Sequence, residues 1–195
     1  MVLRGAARLT TLAVAFALSG ACSPARAPEA HAVPSITLVD TAGAKTTLPG
    51  DLSRSRFTVV VFYSEHCPCF RVHEARLRDL ARALASQGVR ILFVDSEVSA
   101  TPERDARAAA ERGLPAIALD PGAKLADALD ADYATFAVVF DAQGVARYRG
   151  GIDSDKDRLT DDGDRYLAEA LDDLLAGREP RRSEGKTLGC ALQKH

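Results

Sequence analysis

The sequence has no surplus of either charge, no membrane-length apolar run and few cysteines. Its 195 residues include 25 basic and 27 acidic side chains, a formal net charge of −2. That balance provides no basic footprint for a nucleic acid, so that partner class is excluded. The uncharged apolar stretch near the start, residues 9–18, falls well short of the roughly 20 residues a bilayer-spanning helix needs. No glycine-rich motif of the kind that cradles phosphates is present, so no organic cofactor is implied. The four cysteines, at 22, 67, 69 and 190, are too few for a disulfide scaffold and lack the paired CxxC knuckles of a structural zinc site. What is there is an apolar fraction of 47%, enough for the core of one ordinary domain.

The opening "MVLRGAARLTTLAVAFALSGAC" runs from two arginines, Arg4 and Arg8, through the apolar stretch to small residues before Cys22. This is the pattern of a secretory signal peptide over residues 1–21. "LSGAC" resembles a bacterial lipoprotein box, in which the cysteine becomes the lipidated N-terminus. Its match departs at Ser19, where such boxes favour Leu, and ordinary cleavage, including after the "AHA" of residues 30–32, is the alternative. Residues 22–34 are small and proline-rich, as a tether would be. Either route places the folded part outside the cytoplasm, at the periplasmic face or cell envelope, where thiol pairs persist oxidised. Membrane attachment would be by the lipid anchor only.

Residues 35–176 carry the pattern of an α/β domain. "ITLV" and "KTTL" flank a turn and predict an N-terminal β-hairpin. "FTVVVFY", residues 57–63, is a continuous β-branched and aromatic run, as in a strand covered on both faces. From Pro68 to about Gln87 the apolar residues Phe70, Leu77, Leu80, Ala81 and Leu84 recur at helical spacing, and Gly88 stops the helix. A second strand, "VRILFVDSE", precedes a helix capped by Thr101 with Pro102 at its first position. A short strand, a short helix, a strand pair around "DAQG" and a helix over about 162–176 follow. Alternating strands and helices predict helices layered on a central sheet, with chemistry at the strands' carboxyl edge.

"HCPCF" stands at that edge. Cys67 falls at the helix cap and Pro68 at its first helical position, where a missing N–H costs nothing. Free backbone N–H groups and the dipole's positive end favour a Cys67 thiolate, to which a charged His66 would add. A thiolate is the attacking form in disulfide exchange, so Cys67 is the expected nucleophile. A bond to Cys69, two residues on, would be strained and hence easily reduced. The plainer alternative makes Cys69 a small buried hydrophobe.

The run "FYSEHCPCFRVHEARL" resembles the thioredoxin-like superfamily, and "ATFAVVFDAQGVARYRGGID" resembles the strand-turn-strand of its peroxiredoxin and redoxin (AhpC/TSA-type) branch. The resemblance implies a three-layer α/β/α sandwich with a mixed central sheet, and exchange chemistry with protein thiols or disulfides, small thiols or peroxides. It also implies supporting roles for Ser64, at the place of a peroxiredoxin Thr or Ser, and for Thr135, at the place of the thioredoxin cis-proline. Val60 and Tyr133 stand where peroxiredoxins carry a proline and an arginine, and only one residue separates the cysteines. Thiol-disulfide exchange is therefore expected ahead of peroxide reduction.

Residues 177–195 read as a C-terminal tail carrying Cys190. Some redoxin-like proteins end in a similar Gly-Cys segment, which implies a tail returning to the active edge and a resolving role for Cys190. A mobile tail with an unpaired thiol is the alternative. A second function class is metal handling: Cys67, Cys69 and His73 could form a small soft site, since Cys69 and His73 share a helix face. The superfamily's copper-chaperone branch likewise uses two cysteines of this turn. His73 also lies on the stripe of Leu77, Leu80 and Leu84, where it would be a partly buried helix residue. The acid-rich residues 153–164 depart from calcium-loop spacing and read as a solvated loop and helix start.

Overall fold

A computed structural model describes residues 33–195; the segment expected to be a signal peptide and Cys22 lie outside the described residues. The hairpin forms as expected, from β1 (Ile36–Asp40) and β2 (Lys45–Leu48). Then follow β3 (Phe57–Tyr63), α1 (Pro68–Ala85), β4 (Val89–Asp95), α2 (Pro102–Arg112), β5 (Ile117–Leu119) and α3 (Lys124–Ala128). The chain continues through β6 (Ala137–Asp141), β7 (Ala146–Gly150), α4 (Tyr166–Leu175) and β8 (Glu184–Gly185). Among the described residues no helix is long and apolar enough to cross a membrane.

The eight strands form one mixed sheet in the order β2-β1-β5-β4-β3-β6-β7-β8. β3 sits inside it, parallel to β4 and antiparallel to β6. All seven residues of β3 are buried, which is why its sequence shows a continuous apolar run and no alternation. A parallel β3–β4 pair needs a crossover, and α1 supplies it. The result is the thioredoxin-type α/β fold that the element order implies.

α1 is positioned by what it buries. Phe70 packs edge-on against Tyr63 (centroids 4.9 Å apart, 87°) and Phe93 (6.0 Å, 80°). Such pairs contribute about 0.5–1.5 kcal/mol each beyond their burial, which pins the first turn of α1 to the sheet. Arg112 of α2 donates to Glu74 of α1 at 3.2 Å. On the other flank, a groove of ≈ 490 Å³ separates α1 from α4, lined by Leu80, Ala83, Leu159 and Leu167 among others, and contains none of the cysteines.

Two segments depart from the sequence reading. The last helix begins at Tyr166 and not near 162. The residues before it use their side chains on their own backbone: Asp155 N–H donates to Asp153 Oδ1 (2.9 Å) and Thr160 N–H to Asp155 Oδ2 (2.9 Å), a competition that favours turns over helix. Nor is this segment a solvated loop at its start, since Asp153 and Asp155 are buried.

Beyond α4, residues 177–195 are packed against the sheet. β8 pairs in parallel with β7 through Arg149↔Glu184 and Gly150↔Gly185. Gly150 has φ +134° and its Cβ would overlap the Gly185 backbone, so only glycine permits this approach. The chain then runs to the segment that precedes β6, where Ala191 bridges Tyr133. Ala134 N–H donates to the Cys190 carbonyl and Leu192 N–H to the Asp132 carbonyl, both at 2.9 Å. Leu192 is buried there.

Candidate active site

The helix start is built as its residue types dictate. Cys67 is the N-cap of α1 and Pro68 occupies the first turn. Phe70 N–H donates to Cys67 Sγ at 3.3 Å, so the sulfur takes the place of a capping oxygen. A second amide arrives from the far end of the chain: Cys190 N–H donates to the same sulfur at 3.4 Å. Two N–H dipoles therefore converge where negative charge would develop.

The structure brings three sulfurs together. The Sγ atoms of Cys67, Cys69 and Cys190 all lie within 4.8 Å of one another, and all three cysteines are free. Cys67 is 1% exposed and Cys69 4%, while Cys190 is half-buried. Burial, the Cys67 hydrogen bond and the charges of Cys67 and Cys69 push the Cys190 thiol up to about 12. Cys69 is likewise raised, first by burial and then by the charge of Cys67 and a hydrogen bond with it, with Lys156 opposing.

Gly189 lets Cys190 reach this place. A Cβ there would overlap the Ala134 carbonyl oxygen and lie 2.9 Å from Thr135 Oγ1. Thr135 stands beside the tail with φ +73°, a conformation that is unusual for a β-branched residue. Its N–H donates to the Phe62 carbonyl at 2.9 Å, and its buried hydroxyl has no hydrogen-bond partner among the described residues.

Ser64 and His66 each turn to an acidic side chain. Ser64 Oγ donates to Glu97 Oε2 at 3.0 Å. Glu97 Oε1 in turn accepts from Gln193 N–H at 3.4 Å, so Ser64 and Glu97 brace the tail. Glu97 is itself fixed by donating its N–H to Asp95 Oδ1 at 2.8 Å; burial pushes the Asp95 carboxyl up to about 7 despite that bond. His66 is directed at Glu65, 4.0 Å away, with its side chain 74% exposed. Glu97 went unnoticed in the sequence, where nothing separates it from the other acids.

The alternative ligand set Cys67, Cys69 and His73 does not form. His73 Nδ1 meets the Cys69 carbonyl at 2.6 Å and Nε2 meets Asp153 Oδ1 at 2.7 Å. Both partners only accept, so both ring nitrogens carry protons and neither has a lone pair for a metal. Burial opposes the charge, but the Asp153 hydrogen bond, the Cys69 carbonyl and the Asp153 charge together raise the His73 pKa. Arg76 completes the cluster by pairing with Asp153 and, at 3.2 Å, with Asp155. His73 thus ties the backbone of Cys69 to the loop after β7.

The AhpC/TSA family profile matches residues 30–149. Curated proteins yield no match. Among solved structures, an uncharacterised conserved protein from Geobacillus kaustophilus superposes with a TM-score of 0.75 at 25% identity, over 85% of this chain and 92% of that one. A hypothetical protein from Sinorhizobium meliloti gives 0.74 at 22% identity, over 85% and 94%. The thioredoxin domain of a thiol-disulfide oxidoreductase from Bacteroides vulgatus shares the fold with a TM-score of 0.50 at 17% identity, over 59% of this chain and 82% of that one. With its profile match covering more than half of its length, the chain belongs to the AhpC/TSA family of redox enzymes and has the thioredoxin-like fold.

Proposed function

We propose that this protein is an exported thiol-disulfide oxidoreductase, held at the periplasmic face by lipid on Cys22, in which Cys67 is the nucleophile and Cys190 resolves it. The observation that carries the reading is the gathering of three sulfurs within 4.8 Å at the amide-rich start of α1. The Cys67 thiolate attacks one sulfur of a partner disulfide, forming a mixed disulfide and releasing the first partner thiolate. Cys190, giving up its proton, attacks the Cys67 sulfur, releases the second partner thiolate and leaves a Cys67–Cys190 disulfide. The partner gains two electrons and this protein loses two; an external dithiol reverses the change.

Cys190 suits the second step better than Cys69. The i,i+2 bond closes a small ring from Cβ vectors that diverge in a helical turn, whereas the tail delivers Cys190 from outside the helix. Because Cys67 is 1% exposed, a partner must shift the tail to reach it. Val98 and Tyr133, both exposed, flank the tail at Gln193 and Ala191. Apolar side chains beside the entrance suit a polypeptide partner.

The test is to equilibrate the full chain across a series of glutathione poises, trap it with an alkylator and map the pairs. A Cys67–Cys190 bond that titrates within the range of extracytoplasmic thiol couples supports the reading. Rapid turnover of hydrogen peroxide with no reactivity towards protein disulfides would replace it with peroxidase activity.

A further inference from the structure

The three thiols form the only group of three or more potential metal-ligating side chains found close together among the described residues. We infer that, fully reduced, Cys67, Cys69 and Cys190 form a trigonal site for one soft monovalent cation, Cu(I). This goes beyond thiol exchange: it is a binding activity of the reduced state.

The donor set decides the metal class. Three sulfurs converge, and among the described residues no histidine, aspartate or glutamate joins them. His73 has spent both ring nitrogens on Cys69 and Asp153, and His66 faces Glu65. Thiolate-only sets select Cu(I), zinc and iron–sulfur clusters over hard cations. Zinc in a closed site takes four protein ligands, and the fourth is missing. Cu(I) is content with three.

The distances also fit. A metal–sulfur bond of about 2.3 Å places three trigonal sulfurs about 4 Å apart, and the observed separations are within 4.8 Å. Closing the site therefore takes a contraction of under about 1 Å, small enough for side-chain rotation. Negative charge on the Cys67 sulfur is met by the Phe70 and Cys190 amides. The Cys69 carbonyl is held by His73, the kind of outer contact that orients a ligand. Binding releases the thiol protons, and forming the Cys67–Cys190 disulfide removes two of the three donors.

The test is anaerobic titration of the reduced full chain with Cu(I) against a chromogenic chelator, followed by X-ray absorption at the copper edge. The expected result is one retained equivalent with three sulfur scatterers and no imidazole. Cys190→Ser should weaken retention by more than about 100-fold, exceeding what loss of an outer-sphere contact costs. The oxidised protein should retain none. Copper held by two sulfurs, an imidazole in the spectrum, equal retention by Cys190→Ser, or one equivalent of Zn(II) bound in preference to Cu(I) would overturn the site. The absorption measurement uses the unmutated chain and so stands even if the variant misfolds. Disulfide exchange measured on the same metal-free sample fails or succeeds independently of this result.

Discussion

Replacing Gly189 with alanine should open the thiol site without unfolding the domain. The added Cβ overlaps the Ala134 carbonyl oxygen, and both are backbone-fixed, so the tail must move. The move disrupts the Ala134 N–H bond to the Cys190 carbonyl and loosens the neighbouring Leu192. Losing one hydrogen bond and part of a leucine's burial costs about 1–3 kcal/mol. That raises the population of the opened tail roughly 5- to 150-fold, at about 1.4 kcal/mol per tenfold. The core strands lie elsewhere, so urea unfolding should stay cooperative, with its midpoint lowered by no more than that cost. The assay is the rate of iodoacetamide modification at Cys67, located by peptide mass, beside amide exchange over residues 186–193. Gly50→Ala is the control, since nothing lies within 4 Å of its Cβ. Unchanged Cys67 modification together with unchanged amide protection in Gly189→Ala would refute the tail as the barrier over the site.

Three further outcomes follow from the same geometry. His73 is raised in the fold, so its contribution is full below the unfolded imidazole pKa of about 6.5 and is lost as pH rises through the folded value; urea stability should therefore fall above neutrality, and His73→Gln should flatten that fall. Asp153→Asn leaves His73 and Arg76 without their shared carboxylate, and breaking such a buried set should cost about 3–5 kcal/mol in equilibrium unfolding. Thr135→Gly should relieve the φ of +73° and, after the entropy glycine loses on folding, raise stability by about 1 kcal/mol, read as a higher Tm.

Much of the site's first half could be read from neighbouring residues. Cys67, Pro68 and Cys69 interact through one helical turn, and the rules of helix starts are local, so a cap, a proline at the first turn and a buried Phe70 all appear in the order of letters. β3 was equally legible, because a strand buried on both faces leaves an unbroken apolar run. The contacts of Ser64 and His66 were not legible for the opposite reason: adjacency in sequence does not say which way a side chain turns. Ser64 turns to Glu97 and His66 to Glu65. The acidic residues 153–164 looked like a solvated stretch because their partners, His73 and Arg76, lie some 80 positions earlier in the chain.

The sequence by itself determined the α/β order, the central strand and a thiol pair at the head of a helix, since each follows from periodicity or from contacts within a few residues. Only the tertiary structure decided that the Cys190 sulfur lies beside that pair and that the His73 ring turns to Asp153 instead. Residue 190 meets residue 67 through close backbone approaches at Gly150, Gly185 and Gly189. Closeness of that kind is a property of folded surfaces, and a glycine in the linear chain does not say which backbone will come to lie against it.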